Sequence, residues 1–172
     1  GVGKTSIVEA LGRAFNKFTV RINLSEQTDM MDLLGAFLPR PSEESDDGPR
    51  FEWCDGVLLS AVKAGHWVVL DELNLASQSV LEGLNALLDH RSSLYIPELC
   101  CEVTAHPDFR VFACQNPLVE GGGRKGLPKS FLNRFTKVRI SAFTFDDLIC
   151  IAKSCTTLND DILHKMVRFV CE

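Results

Sequence analysis

The chain opens Gly1-Val2-Gly3-Lys4-Thr5-Ser6, and further on an apolar run, Trp67-Val68-Val69-Leu70, delivers two adjacent carboxylates, Asp71 and Glu72. These two features, in this order, constrain the fold more than anything else in the sequence. A glycine-rich turn followed by a lysine and a hydroxyl residue can wrap backbone N–H groups and a point charge around phosphate oxygens, with the hydroxyl meeting Mg²⁺. Four consecutive apolar residues are what a strand covered on both faces requires, and such a strand belongs in a parallel sheet between helices. Ligands then gather at the carboxyl ends of the strands, where the acid pair stands. A complete loop of this type reads G-x-x-x-x-G-K-[ST], so its first glycine would fall three residues before Gly1. The chain therefore reads as a piece cut from a longer protein, without the strand that normally delivers the loop and stopping inside an apolar-periodic stretch at 166–172.

At 172 residues the chain suits one domain, or one domain plus the start of a second. A hydrophobic share of 45% is enough to bury a sizeable core and excludes wholesale disorder. The net charge of −5 argues against a dominant nucleic-acid surface, so no direct sequence-specific nucleic-acid binding is expected. No apolar run approaches the roughly 18 residues needed to span a bilayer, so no membrane role is expected. The seven cysteines form no C-x-x-C and meet none of the four histidines at finger-like spacing. They read as reduced and mostly buried thiols of an intracellular compartment.

Periodicity then orders the chain. Residues 5–15 predict a helix with Ile7, Val8, Leu11 and Phe15 on one stripe. Its N-terminus would face bound phosphates, where free amides favour an anion. Residues 18–23 predict a strand, and 25–34 a helix begun by Ser25. The Pro/Ser/acidic stretch 39–50, with Glu43, Glu44, Asp46 and Asp47, predicts an exposed insertion. Residues 51–55 predict one hairpin arm, 57–64 a helix stopped by Gly65, 66–70 the buried strand, and 79–90 an amphipathic helix. A second hairpin is expected from 94–96 and 102–104, then a strand at 109–114, a glycine-rich loop at 121–126, a short helix at 128–133 and a strand at 135–140. Thr144 with Asp147, and Asn159, read as caps of two final helices. The whole is an α/β chain: residues 1–142 form a truncated nucleotide-binding core, and 143–172 the beginning of a helical lid.

Six positions carry the chemistry. Lys4 is the charge for the β/γ-phosphates, within a cradle of Gly1, Val2, Gly3, Lys4, Thr5 and Ser6. Thr5 and Asp71 are the candidate Mg²⁺ ligands, since magnesium takes few carboxylates and keeps several waters. Glu72 is the candidate activator of the attacking water. Asn116, ending the next core strand, either positions that water or simply forms a turn before Pro117. Arg134 either stabilises a γ-phosphate, across an interface or within the module, or makes a surface salt bridge. His66 and His90 read as structural; Phe51 and Trp53 either pack on the sheet or touch a partner; Arg124 and Lys125 either bind an anion or sit in a plain loop.

Lys4-Thr5, Asp71-Glu72, Asn116 and Arg134, in that order and spacing, resemble an AAA+ ATPase of the P-loop NTPase class, as Walker A, Walker B, sensor 1 and arginine finger. The two hairpins are similar to the inserts of the MoxR/dynein-like branch. The run from Arg21 to Asp29, that from Leu70 to Asn85, and residues 121–135 resemble the midasin family, with the likeness covering residues 1–150. That resemblance implies ATP and Mg²⁺ as cofactors, and neighbouring AAA+ modules in a ring as partners. It further implies remodelling of pre-60S ribosomal particles with release of assembly factors, in the nucleolus and nucleoplasm. A non-hydrolysing structural ATP-binding module and a MoxR-type chaperone are the alternatives. The resemblance also implies a sheet whose central strand is missing, leaving two unpaired edges.

Overall fold

The computed structural model describes residues 3–40, 50–116, 126–156 and 158–171. In chain order the elements are α1 (Lys4–Ala14), β1 (Thr19–Asn23), α2 (Met30–Leu34), β2 (Gly35–Arg40), β3 (Arg50–Asp55), α3 (Val57–Ala64), β4 (Trp67–Asp71), α4 (Gln78–Leu87), β5 (Ser93–Ile96), β6 (Cys101–Thr104), β7 (Arg110–Ala113), α5 (Lys129–Leu132), α6 (Phe145–Cys155) and α7 (Asp160–Cys171). They fall into two compact units. One is Thr5–Thr136; the other joins Lys137–Glu172 with Gly1–Lys4.

The larger unit is built on a parallel sheet in the order β1-β4-β7. Asn23 stands opposite Asp71 and Leu70 opposite Ala113, so the ends of all three strands meet on one side of the sheet. Trp67, Val68, Val69 and Leu70 are all buried. Because successive strand residues point to opposite faces, four buried in a row means that both faces of β4 are covered. The cover includes Leu58, Ala61 and Val62 from α3 and Val80, Leu81, Leu84 and Leu87 from α4, all in one core cluster. Gly65 stops α3 in the left-handed conformation at φ 75°, its amide returning to the Ala61 carbonyl. A side chain at Gly65 would also strike the His106 ring, so two constraints select glycine there.

Two antiparallel hairpins flank this core. β2 pairs β3 from Gly35–Asp55 to Arg40–Arg50, and β5 pairs β6 from Ser93–Thr104 to Ile96–Cys101. Phe37 and Trp53 pack edge-to-face at 5.4 Å on the first hairpin, away from the core cluster. In the smaller unit α6 packs against α7, with Ile149, Leu163 and Val167 buried.

Several expectations need correction. Pro39, Arg40 and Arg50 are hairpin strand residues rather than part of an insertion, and residues 41–49 with their four acids lie outside the described residues. The helix expected from Ser25 begins only at Met30 and is capped by Asp29. Upstream of it, the Ser25 amide donates to the Thr28 hydroxyl at 3.0 Å, a side-chain bond that competes with helix formation. Residues 135–140 form no strand: β7 pairs only with β4 among the described residues, and no strand lies alongside to accept a ladder. The cysteines are not mostly buried, since Cys54, Cys100, Cys101, Cys150 and Cys155 are exposed and Cys114 alone is buried among those described. Finally, α1 turns Ile7 and Leu11 outward, with Phe15 exposed just past its end, while the small Gly12 sits inside against Thr19.

Candidate functional site

The backbone fixes the acid pair before any side chain acts. The Leu24 amide donates to the Asp71 carbonyl at 3.0 Å, closing the β1–β4 ladder. On the other side the Cys114 amide donates to the Leu70 carbonyl at 2.8 Å, and the Leu73 amide to the Cys114 carbonyl at 3.2 Å. Between these anchors Glu72 adopts the left-handed conformation, φ 54° and ψ 43°, and caps the short 3₁₀ turn Leu73–Leu75. For an L-residue that conformation costs about 1–2 kcal/mol. The strain is tolerated because the bonds on either side over-determine the turn.

Side chains then close two pairs. The Thr5 hydroxyl, in the first turn of α1, donates to Asp71 Oδ2 at 3.0 Å, from a residue 66 positions away. Its longer arm reaches Oδ1 at 3.3 Å. The Asn116 amide donates to Glu72 Oε1 at 2.6 Å. Asn74, almost wholly buried, in turn donates to the Asn116 carbonyl at 3.1 Å, while its own Oδ1 has no partner among the described residues. Asn74 thus pins the backbone of Asn116, whose side chain pins Glu72. Arg21, on β1, completes the cluster: its Nε and Nη2 both end on Asp71 Oδ2, at 2.8 and 2.6 Å.

The structure therefore brings Thr5 to Asp71 and Glu72 to Asn116 at the ends of β4 and β7. Lys4 opens α1 directly before Thr5, and Gly3 precedes it with φ 71°, the left-handed region that favours glycine. Ser6 is exposed in the same first turn. Gly1 and Val2 lie outside the described residues, as do Arg124 and Lys125. Arg134 does not join the acids. Its Nε donates to Asn85 Oδ1 at 2.5 Å and its Nη1 to Asp89 Oδ1 at 3.0 Å, at the carboxyl end of α4. Asp89 is held from its ordinary 3.8 down to about 2, first by hydrogen bonds from the His90 side chain and backbone, then by Arg134.

A hydroxyl and a carboxylate side by side make a hard oxygen donor set, which suits magnesium rather than a soft metal. Among the described residues no three His, Cys, Asp or Glu side chains gather into a metal-holding group. A magnesium ion sharing its ligands with phosphates and waters needs no such cage. Arg21, Asn74, Asn85 and Asp89 were not singled out from the sequence. Only the register could have indicated Arg21: with Arg21 opposite Val69, it is the diagonal neighbour of Asp71.

The family model of the AAA domain, dynein-related subfamily, matches residues 1–135. The chain is 58% identical over 170 residues to midasin of Dictyostelium discoideum, covering 98% of this chain and 3% of that protein. It is 54% identical over 147 residues to midasin of Giardia intestinalis, covering 86% of this chain and again 3% of the relative. An uncharacterised protein of Staphylococcus saprophyticus is 32% identical over 170 residues, 98% of this chain and 63% of its own length. In fold, a Cytophaga hutchinsonii crystal structure, described only as a candidate ATPase, superposes with a TM-score of 0.69 at 19% identity. That match covers 98% of this chain and 50% of the other. The chain thus spans a small part of the midasins it matches, and with the family model matched from residue 1 to 135 it belongs to the dynein-related subfamily of AAA domains, with midasins as its homologues.

Proposed function

We propose that this AAA+ module binds and hydrolyses ATP within a midasin-like motor. In this reading the N-terminal turn of α1, with Gly1, Val2, Gly3, Lys4 and Ser6, holds the phosphates. Thr5 and Asp71 hold magnesium, which when bound neutralises charge on the transferring phosphoryl group. Glu72 takes the proton of the attacking water, and Asn116 keeps the Glu72 carboxylate in place. Arg134 serves a phosphate from outside its own acid cluster, which fits its anchorage at Asn85 and Asp89 rather than beside Glu72. Neighbouring AAA+ modules in a ring are the expected partners, with pre-60S particles and their assembly factors as the remodelled cargo and the nucleus as the location. The midasin relatives support that assignment.

The observation that carries the reading is the Thr5–Asp71 hydrogen bond, which joins the loop's hydroxyl to the strand's acid across 66 positions. Glu72→Gln in the full-length protein tests it: ATP stays bound while turnover at this module falls by roughly 10²–10⁴, the usual worth of a general base. Unchanged turnover removes Glu72 from the chemistry. Arg134→Ala separates hydrolysis from a purely structural use of ATP, because ADP formation that depends on Arg134 excludes the latter.

A further inference from the structure

Asp71 is crowded on one oxygen. Both donors of the Arg21 fork and the shorter arm of the Thr5 hydroxyl end on Oδ2, leaving Oδ1, among the described residues, with the 3.3 Å contact to Thr5. A guanidinium facing a carboxylate more often spreads its two bonds over both oxygens. Here a fixed positive charge is instead concentrated on one oxygen of the acid that, in the reading above, holds a divalent cation. The Asp71 side chain is only 13% exposed, so two cations competing for it are screened less than on an open surface. Arg21, half-exposed, can swing away without leaving a buried charge behind.

We propose that Arg21 is a built-in competitor of the metal at Asp71. It neutralises the carboxylate in the metal-free module and lowers metal affinity, so that metal loading loosens the guanidinium from Oδ2. Arg21 is in this sense a positioning residue, and the inference rests on Thr5 and Asp71 being the metal-holding pair. A guanidinium serving only as a strut would have the opposite signature, because its loss would free Asp71 to turn away and weaken the metal.

The test uses Mn²⁺ as the probe, titrated by electron paramagnetic resonance into the ADP-bound full-length protein. Each variant is read as its difference from the parent, so that sites elsewhere cancel. Arg21→Gln is expected to bind Mn²⁺ about two- to fivefold more tightly, the scale of a partly exposed ion pair. Arg21→Lys keeps the charge and the parental affinity, and ADP affinity in EDTA is the same for all three proteins. Unchanged or weaker Mn²⁺ binding in Arg21→Gln overturns the inference, as does a loss of its metal-free ADP affinity. Asp71→Asn distinguishes the deeper failure: if it keeps the parental Mn²⁺ affinity, the metal-holding pair itself has been misassigned.

Discussion

Glu72 carries the strained backbone of the site, and the strain has a measurable signature. With φ 54° enforced by the flanking strand ends, glycine suits position 72 better than alanine does. Glu72→Gly is expected to be more stable than Glu72→Ala by about 1 kcal/mol in denaturant unfolding, while both lose turnover. Equal stabilities would mean that the turn relaxes once the side chain is gone. Arg134 offers a second residue-scale test, because its partner Asp89 is held near 2 rather than 3.8. A depressed carboxyl stabilises the fold above the ordinary carboxylate range and loses that contribution as pH falls from about 4 through 2. In selectively ¹³C-labelled protein the Asp89 carboxyl should therefore titrate at about 2. Arg134→Ala should raise that value only part of the way, since the His90 bonds are the larger cause. Titration at the ordinary value in the parent protein would show that neither tether holds in solution. The acids and Thr5 were legible in sequence because a local motif announces each. Arg21, Asn74 and Asp89 were not, because what makes them matter is a strand register or a packing neighbour dozens of residues away.

Elements were read well where one local device decides them, and poorly where a neighbour does. Thr144 and Asp147 form a reciprocal capping box at the start of α6, with the Thr144 amide donating to Asp147 Oδ2 at 2.8 Å and the Asp147 amide to Thr144 Oγ1 at 3.3 Å. Thr144→Ala should cost about 1 kcal/mol of local stability, read as roughly fivefold faster amide exchange in the first turn of α6. Exchange unchanged from the parent would show that packing against α7, not the cap, holds that turn. The Asp147 carboxyl is itself lowered by its bonds from the Thr144 side chain and backbone. The cap is therefore complete above the ordinary carboxylate range and frays as pH falls below it. Ser25 has the same kind of signal as Thr144 yet starts no helix, because its amide is taken by the Thr28 hydroxyl and Asp29 caps the helix instead. Residues 135–140 had the composition of a strand, but composition cannot supply the neighbouring strand that a parallel ladder needs. Pro39 is a loop signal in sequence, yet it sits on β2, a hairpin strand outside the main sheet, where a missing N–H is tolerated.

At the scale of the molecule, the parallel α/β architecture was the most legible feature, and the surfaces it leaves uncovered were the least. The core cluster draws on β1, β4, α3 and α4, but α1 presents Ile7 and Leu11 to solvent, with Phe15 and Phe18 exposed just beyond it. In the smaller unit α7 buries Leu163 and Val167 while leaving Met166, Phe169 and Val170 out, with Phe169 83% exposed. Among the described residues β1 and β7 each pair on one side only, so the sheet also ends in two open ladders. Apolar stripes and open edges of this extent drive association, and a net charge of −5 opposes it only weakly once salt screens it. The 172-residue chain by itself is therefore expected to self-associate in a concentration-dependent way in analytical ultracentrifugation, and more so in added sulfate, which strengthens apolar burial. Ile7→Glu and Phe169→Glu, each at an exposed position outside the core cluster, should shift the distribution toward monomer without lowering helix content. A monodisperse 19.1 kDa species at micromolar concentration, indifferent to sulfate, would mean that these faces are satisfied within the chain.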